Sequence, residues 1–182
     1  MTLSVEDGKL YYKLWLPLLD FVNEKYGVNK ELGQIAGAEG LDANKVKEVA
    51  DKLWDDVSVI DEYLAGLGQD LPKEHKDIIE GFKRRIRGRF ILERHLKKGS
   101  IFISGEDEQV YQVLGIVSSW EEMFYYRRPP ILMEATLMPF RDAIISDGLV
   151  LPYNIVIGGN MARSFKEIYM AAKKGGRLRK TL

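Results

Sequence analysis

Apolar positions recur at helical spacing through the first half of this chain. Most of the second half has strand spacing, and the period changes near Gly88. Leu10, Leu14, Leu18 and Val22 mark one face of a first helix, predicted from Gly8 to Tyr26, and Tyr11, Trp15, Leu19 and Phe21 widen it. Pro17 falls inside that pattern and predicts a kink or a break, because its ring removes an N–H and crowds the preceding turn. Gly27 is a C-cap candidate, and residues 29–41, with three glycines, read as a short helical turn or a loop. Asp42 is a good N-cap for a second helix with Val46, Val49, Ala50 and Leu53 inward. That helix runs on to Leu64 or restarts near Asp56, and Gly66 and Gly68 end it. Leu71-Pro72 opens another helix, since proline suits a first turn, and Ile78, Ile79, Phe82 and Ile86 form its stripe.

Beyond Gly88, β-branched and aromatic residues thicken in RFILERHLKKGSIFIS, with Lys97-Lys98-Gly99 as the turn between two strands. Gly105-Glu106-Asp107 turns the chain again into VYQVLGIVS. The segment SSWEEMFYYRRPP reads as a longer connection or a short helix capped by Ser119. Three more strands are predicted, ILMEATL, DAIIS and NIVIG, separated by Pro139-Phe140 and Asp147-Gly148. Asn160 can cap a last helix from Met161 to Lys174, closed by Gly175-Gly176. The expected fold is α+β: a helical N-terminal region, residues 1–87, then residues 88–182 as a small, strongly bent antiparallel sheet or barrel with a C-terminal helix. The two regions pack closely and can form one domain.

Composition narrows the classes. With 182 residues, 46% hydrophobic and 30% charged, the chain is globular rather than disordered. No apolar run approaches the ~20 residues a spanning helix needs, so no membrane is expected. The opening lacks a basic stretch and a small-residue cleavage site, so a secretory signal is not expected either. The absence of cysteine excludes disulfides, thiolate metal sites and a cysteine nucleophile, and fits a cytoplasmic protein. Net charge is zero but uneven. Residues 1–71 hold 7 Lys/Arg and 14 Asp/Glu, residues 72–98 hold 10 and 4, and residues 99–182 hold 10 and 9.

The basic run is the sharpest functional feature. Lys83, Arg84, Arg85, Arg87, Lys97 and Lys98, with Arg89 and Arg94 between them, bracket the helix-to-strand junction. Arginine suits bidentate contact with phosphate or carboxylate, so the run reads as a polyanion surface or as a partner for the acidic helices. A second cluster, Trp120, Phe124, Tyr125 and Tyr126 with Met123, is either an exposed contact surface or a loop with its rings buried. Glu134, Asp142 and Asp147 are the carboxylates that an acid–base site in the β module would use, although Asp147-Gly148 and Arg141-Asp142 also read as turns. His75 and His95 stand apart, with no carboxylate at a ligand spacing, so no metal and no cofactor is expected. Gly158-Gly159-Asn160 reads as an anion-binding helix start or an ordinary strand-to-helix connection. Nucleotide-loop and nucleophile-elbow motifs are absent.

The segment ATLMPFRDAIISDGLVLPYNIVIGG resembles a group of uncharacterised bacterial proteins, many from Firmicutes. They share a T-L-hydrophobic-P-F-x-x-x-I-x-x-D-G pattern ahead of a Y-N strand. The matching residues are Thr136, Leu137, Pro139, Phe140, Ile144, Asp147, Gly148, Tyr153 and Asn154. The resemblance covers the C-terminal third. It implies a bacterial cytoplasmic module and supplies no catalytic residue. Some members carry small Cys-rich tails, and the RLRKTL end of this chain has no cysteine. The function expected is a non-enzymatic binding or regulatory module with a protein partner. The alternatives are a nucleic-acid-binding protein using segment 83–98, and an enzyme using the β-module carboxylates.

Overall fold

The computed structural model describes residues 1–38 and 40–182; Glu39, in the glycine-rich stretch read as a turn or loop, lies outside the described residues. The chain forms two compact units. One holds residues 6–83, and the other holds residues 84–182 together with 1–5. By sequence the first unit carries 10 Lys/Arg against 17 Asp/Glu, and the second carries 17 against 10. The chain's zero net charge therefore conceals balances of −7 and +7.

The helical unit comprises α1 (Val5–Tyr26), α2 (Ala43–Asp55), α3 (Val59–Ala65) and α4 (Lys73–Gly81). The apolar stripe of α1 holds the helix together across Pro17, so the predicted break does not occur and the helix is continuous. Asp42 caps α2 by accepting the Asn44 N–H at 2.9 Å. The restart near Asp56 does occur, as α3. Aromatic rings build this core: Trp15 stacks on Trp54 at 5.3 Å, and Phe82 meets Trp15 edge-on at 5.9 Å. Asp20 pins the glycine-rich stretch by accepting the N–H groups of Ile35 and Ala36, and Ile35 is fully buried. The stripe ends one turn earlier than predicted. A 3-10 turn over Phe82–Arg84 closes α4, and Ile86 already belongs to a strand.

The second unit is built on β1 (Ile86–Leu96), β2 (Gly99–Ser104), β3 (Val110–Val113), β4 (Ile131–Phe140), β5 (Ala143–Ser146), β6 (Leu151–Pro152) and β7 (Leu178–Arg179). Two helices complete it, α5 (Trp120–Met123) and α6 (Gly159–Lys174). The strands run β1-β2-β3-β5-β4 and return to β1, because the first part of β4 pairs with β1 and its end pairs with β5. The sheet is mixed rather than antiparallel throughout, since β3 runs parallel to both β5 and β7. Between β3 and β5 only Val113 and Ile144 pair, with the Leu114 N–H donating to the Ile144 carbonyl at 2.9 Å. The circuit is a ring but not a barrel, and this corrects the barrel alternative. Phe90, Leu92, Phe102, Tyr111, Met133 and Leu137 fill its inside together with Trp120 and Phe124. Outside, Ile91, Ile101, Ile103 and Val110 meet Phe165, Ile168, Tyr169 and Ala172 on α6.

A bulge divides these faces. The β1–β2 register shifts between Leu92 and Arg94, which leaves Glu93 as the extra residue. Phe90 and Leu92 point inward, so by alternation Arg94 would follow them into the apolar core. The inserted residue flips it outward, opposite Ile101, whose side chain lies on the α6 face.

Two further expectations change. Pro139 and Phe140 are strand residues, paired with Ile144 and Ala143, and the turn falls at Arg141-Asp142. NIVIG is not a strand, and the partner row explains why. Continuing the β4–β6 register past Met133↔Pro152 would set Ile155 and Val156 opposite Pro130 and Pro129, which have no N–H to give. The ladder therefore stops once the Tyr153 N–H has reached the Leu132 carbonyl at 2.9 Å. Helix α6 starts two residues earlier than predicted, with Gly158 rather than Asn160 at its N-cap and no side-chain cap.

Candidate functional site

The basic run does not gather into one surface. Lys83 belongs to the helical unit and sits between Asp61 and Glu80, the latter at 2.8 Å. Arg84 is exposed in the 3-10 turn, Arg85 is half-buried before β1, and Arg87 is exposed on β1, across from Thr136. Lys97 and Lys98 are exposed at the β1–β2 turn. At about 3.3 Å per residue the 11-residue β1 spans roughly 30 Å, so the lysines lie far from Arg87. Arg94 is committed to Glu93, with Nη2 donating to Oε1 at 2.8 Å, a charge-assisted bond that raises the pKa of its guanidinium.

The aromatic segment splits in two. Ser119 caps α5 in a reciprocal box with Glu122, which fixes the helix start. That start drives Trp120 and Phe124 into the ring interior, where Trp120 lies 4.8 Å from Phe102 and stacks on Phe124 at 6.2 Å. Tyr125 and Tyr126 face the other way and are 85% and 61% exposed. Half of the cluster is core and half is surface.

The three carboxylates do not share a cavity. Glu134 is exposed on β4, lies across from Arg89, and accepts the Tyr153 hydroxyl at 2.5 Å, which raises the Tyr153 pKa. Asp142 is exposed in the β4–β5 turn. Asp147 is buried and builds the next turn by accepting the Leu149 N–H at 3.0 Å. None of them lines the cavities of about 480, 360 and 280 Å³ in the β unit. His75 lies on α4, whereas His95 lies on β1 and shares a 2.8 Å hydrogen bond with the Ser100 hydroxyl. Among the described residues no group of three His, Asp or Glu side chains is arranged to hold a metal ion. No helix among them is long and apolar enough to cross a membrane.

What the fold does assemble is a groove along Ile155–Ile157, residues expected to form a strand. Two adjoining cavities of about 360 and 280 Å³ share Ile155 and Ile157. The first is walled by Tyr126, Arg127, Arg128 and the Pro129-Pro130 pair, whose peptide bond is cis. The second lies between the outer face of the sheet and the start of α6, with Ile91, Leu132, Met161 and Phe165 in its walls. Tyr153 and Asn154 hold the loop between them. Arg127 donates to the Tyr153 carbonyl at 2.8 Å and to the Asn154 side-chain oxygen at 3.0 Å, while the Tyr153 ring is tethered to Glu134. The next residues stand out from this fixed base, with Ile155 54% and Val156 98% exposed. The sequence signal was present in the Y-N pair and the double proline, but neither says on which side of a ladder it lies.

No family model matches the chain, and neither the curated proteins nor the solved structures include one similar to it.

Proposed function

We propose that this chain is a non-enzymatic binding module of the bacterial cytoplasm. On this reading it belongs with the proteins sharing its Y-N pattern and receives an extended apolar segment of an acidic protein partner in the Ile155–Ile157 groove. The observation that carries it is Val156, a β-branched side chain almost wholly in water on a loop whose base is fixed by four hydrogen bonds. An apolar residue held outward at a fixed position, beside exposed Tyr126 and Met161, suits a partner that covers it. Charge supports an acidic one. Arg89, Arg127 and Arg128 border the two cavities, and Glu108 is the one carboxylate among the residues lining them.

Nucleic acid on segment 83–98 has less support, because its cations are divided between two units and the two ends of one long strand. Five-stranded, partly open rings elsewhere bind oligonucleotides on the face of their second and third strands. Here the outer side of β2 and β3 is covered by α6.

The test is fluorescence anisotropy with labelled nonapeptides that share a Leu-rich centre and carry either acidic or basic flanks. Acidic peptides are expected to bind in the micromolar range. Val156→Asp should weaken them at least tenfold, and Arg128→Glu should remove the preference for acid. Equal binding of both peptide sets, or indifference to Val156→Asp, overturns the reading. Sedimentation of the free protein completes it: a dimer abolished by Val156→Asp assigns the groove to a second copy instead.

A further inference from the structure

A second concavity lies at the other end of β1, and its walls are cationic. Leu96, Lys97, Lys98, Tyr169, Lys173 and Lys180 surround a cleft of about 480 Å³, completed by Gln112, Gly176 and Leu178. Sequence distance hides this group, since Lys97 and Lys98 come from the β1–β2 turn and the other two lysines from the last ten residues of the chain. The fold joins them by two local devices. Helix α6 ends at Gly175, whose N–H returns to the Ala171 carbonyl at 2.9 Å, and Gly176 reverses the chain at φ +66°, a conformation glycine adopts without strain. The reversed chain then pairs with β3 as β7, with Val110 opposite Leu178 and Tyr111 opposite Arg179. One residue further along the same register sets Lys180 abreast of Gln112, whose amide donates to the Lys98 carbonyl.

Lysines in a last helical turn also offset the helix dipole, and lysines in a hairpin turn are ordinarily just solvated. Neither role brings four of them around one hollow. All four are exposed, none makes an ion pair among the described residues, and no carboxylate lines the cleft. Like charges gathered without a counter-charge repel, and an anion bound between them relieves that repulsion. Its volume lies within the ~300–1,000 Å³ of small-molecule sites. The ammonium groups act as point charges on flexible stems, which suits several phosphates in series better than one planar carboxylate.

We infer that the cleft bounded by Lys97, Lys98, Lys173 and Lys180 binds a small ligand carrying two or more linked phosphates. Leu96, Leu178 and Tyr169 supply an apolar wall beside the phosphate chain. This site is separate from the Ile155–Ile157 groove and shares no lining residue with it.

Calorimetric titration of the full chain tests it, with tripolyphosphate, ATP, orthophosphate and a mixed-sequence single-stranded oligonucleotide as probes. Each is run at low and at physiological salt. Tripolyphosphate is expected to bind in the micromolar range at low salt, at least tenfold tighter than orthophosphate, and to weaken as salt rises. Lys98→Glu/Lys173→Glu should weaken it at least tenfold, while Arg84→Glu/Arg163→Glu, with the same change of charge outside the cleft, should leave it within twofold. A circular-dichroism melt checks that both variants are folded. ATP binding as tightly as tripolyphosphate identifies the phosphate chain as the recognised group, and tighter ATP binding adds the wall to recognition. Equal loss in both variants overturns the site as mere net charge. An oligonucleotide that outcompetes tripolyphosphate overturns it in favour of a nucleic-acid surface.

Discussion

The guanidinium of Arg94 lies 4.6 Å over the ring of Tyr169, so the bulged strand β1 and helix α6 are joined by a cation held against an aromatic face. The bulge at Glu93 supplies both halves of this arrangement. It turns Arg94 to the α6 side, and it places the Glu93 carboxylate where it orients the guanidinium. Such contacts contribute about 0.5–1 kcal/mol at exposed sites and ~2 when desolvated. A double-mutant cycle of Arg94→Met and Tyr169→Leu is expected to show a coupling of about 1 kcal/mol in denaturant unfolding. Additive single effects would mean that the two side chains are only neighbours.

Gly115 is expected to resist any side chain. Its N–H donates to the Met1 carbonyl at 3.2 Å and its carbonyl accepts the Leu3 N–H at 2.9 Å, so the N-terminal residues are secured at this point. A Cβ here would lie inside the van der Waals shell of the Ser118 carbonyl oxygen, which is backbone and has no rotamer to escape to. Gly115→Ala should cost about 3 kcal/mol and lower the melting temperature by several degrees. Gly158→Ser, at a position with nothing within 4 Å, should not lower it.

Trp120 contributes through its volume rather than its N–H. The ring is 1% exposed between Phe102 and Phe124, and its Nε1 has no hydrogen-bond partner among the described residues. Trp120→Phe keeps an aromatic ring and removes an unsatisfied donor, so a loss of about 1 kcal/mol is expected. Trp120→Ala leaves a cavity and should cost about 3–5 kcal/mol. Chemical denaturation of both variants checks the ranking, and equal losses would show that the indole nitrogen matters after all.

His95 makes the β unit sensitive to acid. Burial lowers its pKa below the usual 6.5, with the carboxylate of Glu121 opposing the shift. The folded state therefore prefers the neutral ring. Its contribution is fully present above pH 6.5 and is lost as pH falls through the lower folded value. Thermal melts of the wild type and His95→Gln at pH 7.5 and 5.5 should show a smaller fall for the variant. The same fall in both would assign the acid sensitivity to other groups.

Much of the local structure was legible in the residues. The helical stripe of α1, the cap at Asp42, the hairpin turn at Lys97-Lys98 and the cap at Ser119 all follow from spacing and turn chemistry within a few positions, whereas the restart near Asp56 was one of two open readings. These signals are short-ranged, so a sequence states them directly. Pro17 leaves a kink or a break open in the sequence, and α1 is unbroken there: the cost of a proline in a helix is local, whereas the burial of Leu14, Trp15, Leu18 and Leu19 that offsets it depends on the whole unit.

The candidate sites belong to the other category. A β-branched run such as Ile155-Val156-Ile157 is read as a strand until its partner row is known, and here that row is two prolines met by register from a distant segment. Arg94 faces α6 only because one residue was inserted into its ladder. Lys180 joins Lys97 and Lys98 only because the chain reverses at Gly176 and pairs with β3. Sequence alone determined most of the helices, several strands and their caps and turns, because period and capping are properties of neighbouring residues. Tertiary structure decided which charges and apolar side chains meet, because strand register and ring closure pair residues that lie far apart along the chain.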